Sequence, residues 1–346
     1  MALRKGRHTI LFETPPSLRA FAAIGSDMEA QGPLGQCFDL IERDAYFGQD
    51  SWERAESQMQ ERVVRRVLEK AQLPPSQVQG AFAGDLLNQC VGSTYGLRGL
   101  GVPYVGLFGA CSTMAEALVA AAVFLEAGAM ERAVACTSSH FCTAERQFRY
   151  PLEYGGQRPP TAQWTATAAG AALLDRGERP PFIRGAVVGA IRDLGITDAA
   201  NMGAAMAPAA ADTLARFFAD TGLRPQQFDL VVTGDLGLVG SRLLRQLLEE
   251  EGFPLDRCHA DCGLMLYDRQ KQDVHAGGSG CGCSAAVLCG HLLPLLRQGT
   301  LQNLLFVATG ALMSPTVVQQ GESIPGIAHL VWLSHKKSGE VASCRC

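Results

Sequence analysis

Apolar residues fall at helical spacing through "WERAESQMQERVVRRVLEK" (Trp52–Lys70) and again through "AADTLARFFAD" (Ala210–Asp220). Each stretch reads as an amphipathic helix with one face toward a core. A proline-marked turn, a short apolar run and a Gly-Asp turn follow in both places, within "AQLPPSQVQGAFAGDLLNQ" (Ala71–Gln89) and "TGLRPQQFDLVVTGDLGLV" (Thr221–Val239). Such short, wholly apolar runs predict buried strands. A third pattern differs. From Cys111 to Phe124, within "FGACSTMAEALVAAAVFLEAG", only Glu116 is charged. A helix apolar on every side belongs in the interior.

The first two stretches match in fixed register. Leu73 corresponds to Leu223, Pro75 to Pro225, Gln77 to Gln227, and Gly84-Asp85-Leu86 to Gly234-Asp235-Leu236. The match extends to "GACSTMAEALVAAAVFLEAGAMERAVACTSS" (Gly109–Ser139) and "CGCSAAVLCGHLLPLLRQGTLQNLLFVATGA" (Cys281–Ala311), which pairs Cys111 with Cys283. A repeat of this length predicts duplication. Two α/β halves are expected, residues 1–180 and 181–346, each giving one all-apolar helix. The two helices pack between two sheets, outer helices such as Trp52–Lys70 cover the far faces, and the result is a five-layer α/β/α/β/α fold.

Composition narrows the picture. The chain has 346 residues, 47% hydrophobic and 18% charged, with a net charge of -4. That suits a globular protein with large buried elements and gives no basic footprint for nucleic acid. The N-terminal "MALRKGRHTILFETPPS" does not read as a signal peptide, and the apolar run near Ala117–Met130 is too short to span a bilayer. A soluble or membrane-peripheral protein is expected. The 12 cysteines lack the spacing of a disulfide scaffold. Their close pairs, Cys258/Cys262, Cys281/Cys283 and Cys344/Cys346, lack the hooks of a zinc site. No metal and no cofactor are expected.

A cysteine opening a central helix of this architecture resembles the thiolase superfamily, and "FGACSTMAEAL" is similar to the nucleophile segment of ketoacyl synthase III enzymes. In that superfamily the helix N-terminus favours a thiolate. A narrower resemblance covers about residues 8 to 333. "GPLG", "AGDLLNQ", "FGACST", "SSHFCTAERQFRYPLEYGGQRPPTA", "DLGITDAANMGAAMAPAAADT", "DCGLMLY", "AGGSGCGCSAAV", "ATGALMSPT" and "IPGIAHLV" occur in this order and resemble the stage V sporulation protein AD family of endospore-forming bacteria. This resemblance implies a thiolase-like fold and a dipicolinic acid-binding protein required for dipicolinic acid uptake into the developing forespore. It also implies a place at the inner spore membrane, peripheral to it, beside other stage V sporulation membrane proteins. The ligand would be dipicolinate, free or as its calcium chelate. The superfamily further implies a homodimer, with the strand Arg132–Ser138 pairing across the twofold axis.

Two readings of the site follow. In the condensing-enzyme reading Cys111 is the nucleophile and His259, in "RCHADCGLMLY", stands near the family's histidine motif. Asp261-Cys262 interrupts that motif, Gly277–Gly280 replaces the asparagine loop, and "ATGALMSPT" lacks the second cysteine of thiolases. A thiol without base and oxyanion donors is a poor acyl-transfer catalyst. The favoured reading is therefore a non-catalytic binder on an enzyme scaffold, with Cys111, His140, Arg146, Gly277, Gly278 and Ser279 as ligand-binding residues. The helix termini and the glycine loop would offer N–H groups to an anion, and Arg146 the guanidinium fork. Each also has a plain structural role open to it: Cys111 as core, His140 as a hydrogen-bonded strand end, Arg146 and Arg149 with Glu145 as a solvated cluster, Gly277–Gly282 as a turn. Asp85 and Asp235 read as caps, and "AMAPAAADT" as a helix entry at Pro208.

Overall fold

The computed structural model describes residues 3–149, 156–255 and 258–339. Its architecture is set by ten strands. The first five are β1 (Ser17–Gly25), β2 (Gly80–Gly84), β3 (Tyr104–Gly106), β4 (Arg132–Ser139) and β5 (Ala168–Asp175), in the spatial order β1-β5-β4-β2-β3. The second five are β6 (Phe182–Val187), β7 (Leu230–Thr233), β8 (His259–Asp261), β9 (Asn303–Ala311) and β10 (Gly326–Ser334), in the order β6-β10-β9-β7-β8. The two orders are the same. So are the directions: β2 runs parallel to β3 and β4, as β7 does to β8 and β9, and the remaining pairs are antiparallel. The two sets touch edge to edge only where Phe182 of β6 meets Ser17 of β1.

Helices α1 (Trp52–Ala71) and α4 (Met202–Thr221) cover the outer faces, α1 on β1, β5 and β4, and α4 on β9 and β10, with α5 (Gly237–Glu250) packed against α4. Before each inner parallel strand comes the expected proline turn, Pro75–Gln77 and Pro225–Gln227, each one turn of 3-10 helix. Between the sheets lie α2 (Thr113–Glu126) and a second helix that starts as α6 (Cys281–Val287) and ends as α7 (Leu293–Gln298). Helix α2 packs against β2 and β4 on one side and β9 and β10 on the other. Met114, Ala117, Leu118, Ala121 and Leu125 on it are all fully buried, as its lack of a polar face requires. The stack is α/β/α/β/α.

Three local features follow from sequence. Residues 288–292 form a wide π turn just before Pro294. Proline has no N–H to return to the preceding turn, so the ladder widens there rather than breaking. Helix α6 lies nearly on the backbone of β5: a Cβ on Gly282 would strike the carbonyl of Ala168, and one on Gly170 the carbonyl of Ala285. Helix α4 begins at Met202, six residues before the expected entry, so Pro208 sits inside it.

One expectation is corrected here. The strand Arg132–Ser139 is interior, flanked by β2 and β5, so its hydrogen bonds are already made. The open edge of the first sheet is β3, where Val105 is exposed.

Candidate functional site

Strands β2 and β7 end at matched Gly-Asp-Leu turns, and between these ends lies a largely apolar cavity of about 300 Å³. Its walls include Phe108, Cys111, Phe148, Arg149, Met202 and Ser279. Helix α3 (Phe141–Phe148) and the residue after it supply the side that carries Phe148 and Arg149.

Cys111 lies in one turn of 3-10 helix, Ala110–Ser112, that leads into α2. Ser112 Oγ donates to the carbonyl of Gly109 and Thr113 Oγ1 to that of Ala110, and Ala110 takes a left-handed φ of 52°. That conformation is unfavourable for a residue with a Cβ, and the two hydroxyls hold it. Cys111 is 5% exposed. Burial pushes its pKa well above the ordinary range, and the charge of Asp235 pushes it further the same way.

Asp235 is itself fully buried. Its Oδ2 accepts from Gly280 N–H at 2.8 Å and Ser279 Oγ–H at 3.2 Å, and its Oδ1 from Thr309 Oγ1–H at 2.8 Å. The N-terminus of the second central helix, expected to offer free N–H groups to a ligand, is thus capped from within. Cys283 is not the counterpart of Cys111 at the cavity. It lies inside α6, fully buried, beside Gly278. The cysteine of α6 that clusters with Cys111 is Cys281.

The charged wall is Arg149 rather than Arg146. Arg149 pairs with Glu145 one helical turn away, their side chains 9% and 2% exposed. Thr165 Oγ1 also donates to Glu145, at 3.3 Å. The Nε–H of Arg149 is buried and has no acceptor among the described residues. Arg146 lies outside the cavity, where it pairs with Glu53 and stacks over Trp52 at 5.1 Å.

Of the other expected site residues, Ser279 lines the cavity. Gly277 and Gly278 do not: they back onto Gly263 and Tyr267. His140 caps α3, its Nδ1 accepting from Cys142 N–H at 3.2 Å, while its Nε2 reaches the carbonyl of Ala45 at 2.8 Å. With both ring nitrogens occupied and burial lowering its pKa, it is a neutral structural group. His259 sits on β8 between Thr233, 3.0 Å from Nε2, and Arg245, whose Nε–H donates to Nδ1 at 3.3 Å. Burial and Arg245 lower its pKa to about 4. No histidine lines the cavity among the described residues. Nor, among them, do three His, Cys, Asp or Glu side chains converge as metal ligands. Cys344 and Cys346 lie outside the described residues.

Sequence reading missed Arg149 as a wall and Asp235 as a partner of Cys111. The four-residue spacing of Glu145 and Arg149 on a helix was a usable signal for the ion pair. Nothing local marks Met202 or Phe148.

A layered fold with a cysteine before its buried helix defines a thiolase-like protein, and solved structures agree. Xanthomonas campestris OleA with bound cerulenin superposes with a TM-score of 0.60 at 14% identity, over 94% of this chain and 97% of that one. Aquifex aeolicus 3-oxoacyl-[acyl-carrier-protein] synthase III gives 0.53 at 12% identity, over 91% and 98%. Sequence goes further: residues 6–334 match the family model of stage V sporulation protein AD. The stage V sporulation protein AD of Bacillus subtilis (strain 168) is 46% identical over 324 residues, 94% of this chain and 96% of that protein. The chain belongs to the stage V sporulation protein AD family, on a fold shared with condensing enzymes.

Proposed function

We propose that this chain is a non-catalytic dipicolinic acid-binding protein that serves dipicolinate uptake into the developing forespore, and that the Cys111 cavity is its binding site. The observation that carries this reading is Arg149, a buried guanidinium on the wall of an apolar cavity of about 300 Å³, whose Nε–H has no acceptor among the described residues. Dipicolinate is a flat ring with a carboxylate on either side of the nitrogen. The ring suits walls such as Phe148 and Met202, and one carboxylate suits the guanidinium. The second carboxylate, free or chelating calcium, faces the cavity mouth beside Phe108, away from Asp235. A thiol whose pKa burial raises, and a cavity that no histidine lines among the described residues, support binding over acyl transfer.

No helix among the described residues is long and apolar enough to cross a membrane. A peripheral position at the inner spore membrane, beside the membrane proteins of the same stage, belongs to the same proposal. So does a homodimer, now through the open edge β3, where Val105 is 41% exposed.

Calorimetry tests the reading. Arg149→Ala is expected to weaken dipicolinate binding by about 1.5–3 kcal/mol, the size of a charge-assisted hydrogen bond. Affinity unchanged in Arg149→Ala places the ligand elsewhere. Turnover of an acyl-CoA that disappears in Cys111→Ala promotes the condensing-enzyme reading.

A further inference from the structure

Condensing chemistry on a cysteine needs two things at one place: a thiolate, and hydrogen-bond donors that take up the charge of the acyl oxygen. The floor of this cavity has donors, and the question is what they are bonded to. Ser279 lines the cavity together with Cys111, with Gly280 next to it in the chain, and an N–H and an Oγ–H there would stabilise a thiolate. Both donate to Asp235 Oδ2, at 2.8 and 3.2 Å, and Thr309 Oγ1–H donates to Oδ1 at 2.8 Å. The carboxylate therefore sits where a developing negative charge would have to be held.

We propose that Asp235 is a positioning residue that silences Cys111: it takes the floor's anion-stabilising donors for itself and leaves the cysteine without them. The inference deepens the binding reading of the same cavity, since it gives the physical reason for the lack of turnover. The surroundings reinforce it. Cys281, from α6, is a second neutral thiol, and Asp261, from β8, adds a further carboxyl behind Asp235. The only guanidinium lining the cavity among the described residues is Arg149, already paired with Glu145. Nothing described on the wall offers Cys111 a free positive charge.

The test reads thiol chemistry, not dipicolinate binding, so the two proposals fail separately. Intact protein is treated with iodoacetamide from pH 7 to pH 10, and alkylation of Cys111 is followed by peptide mass spectrometry, which separates it from the half-exposed Cys37, Cys142 and Cys258. Alkylation forms an S–C bond from the thiolate and releases iodide, so its rate follows the thiolate fraction. In the wild type the Cys111 rate is expected to keep rising with pH well past the midpoint of an ordinary thiol. Asp235→Asn keeps the shape and removes the charge. It is expected to raise the rate at pH 8 about tenfold or more, which corresponds to a pKa lower by one unit or more. A folded Asp235→Asn protein with an unchanged rate and midpoint overturns the proposal. So does a wild-type Cys111 that titrates like an ordinary thiol, a result that needs no variant to fold.

Discussion

Gly84-Asp85-Leu86 and Gly234-Asp235-Leu236 are the same three residues at the same point of two matching sheets, and they do different work. Both carboxylates are fully buried. Asp85 turns outward, toward α1. It accepts from Leu87 N–H at 2.9 Å and from both the N–H and the Oγ–H of Ser93 at 2.7 Å, and its electrostatic neighbour is Glu56. Asp235 turns inward, toward the second central helix and Cys111. One copy of the repeat closes a loop, and the other shapes a cavity. A repeated signature marks a repeated backbone, and the chemistry is decided by what each copy faces.

Removing the structural copy tests that contrast most sharply. Asp85→Ala leaves three buried donors without their acceptor, at a cost of about 1–3 kcal/mol each before relaxation and the loss of a buried charge are counted. A net destabilisation of about 2–4 kcal/mol is expected in denaturant melts. Dipicolinate affinity should stay within about twofold. A large loss of affinity at full stability would show that Asp85 belongs to the site after all.

Glu56 gives the next effect, one of pH. Its Oε1 faces Ser138 Oγ at 3.0 Å, and its Oε2 faces Thr143 Oγ1 at 2.9 Å, while that hydroxyl also has the carbonyl of His140 at 3.0 Å. Thr143 has one hydroxyl proton. If the His140 carbonyl receives it, Glu56 Oε2 must carry the next one. Burial, with the charge of Asp85 nearby, raises the Glu56 pKa from 4.5 to about 8. The folded state thus binds this proton more tightly than the unfolded chain. Its contribution is complete below pH 4.5 and is lost as pH rises toward about 8. Glu56→Gln, which mimics the protonated acid, should flatten the wild-type decline in stability across that window. Parallel stability curves for the two proteins would show that Glu56 titrates normally.

The smallest effect distinguishes neighbouring arginines. Arg146 and its partner Glu53 are 46% and 33% exposed, so their ion pair is worth about 0.5 kcal/mol in water and salt. Arg146→Ala should leave dipicolinate affinity within about twofold, against the tenfold or greater loss expected for Arg149→Ala. Equal losses in the two variants would move the ligand toward Trp52 and the outer surface.

Much of the fold was legible because it rests on burial, and burial writes itself as pattern. The amphipathic α1, the all-apolar α2 and the fixed offset between Leu73 and Leu223 led to the layers. The site was legible only in part. Cys111 and Ser279 are in the cavity because they lie at the starts of the central helices, which the pattern located. Arg146 and Arg149 cannot be told apart by type or by periodicity alone. What separates them is that Arg149 follows the end of α3 and folds back on Glu145, whereas Arg146 projects from its middle toward α1. His140 misled because a strand end is a favoured place for a functional group but also where caps are needed, and here a cap took it; His259 instead opens β8 and is held between Thr233 and Arg245. Asp235 is a long-range partner of Gly280 and Thr309, and no spacing along the chain encodes such a meeting.

The placement of α6 on β5, backbone against backbone through Gly170 and Gly282, has a consequence for synthesis. A ribosome completes β5 at Asp175 long before it delivers Cys281, the first residue of the helix that covers the inner face of β5. During the interval the nascent first sheet presents Ala172 and Leu174, both fully buried in the finished protein, to whatever surrounds it. Exposed apolar sheet faces of this kind are what aggregate or recruit chaperones. Translation of the second half is therefore the vulnerable stage in the life of this molecule, and the sheet finds its permanent cover only when the last third of the chain has emerged.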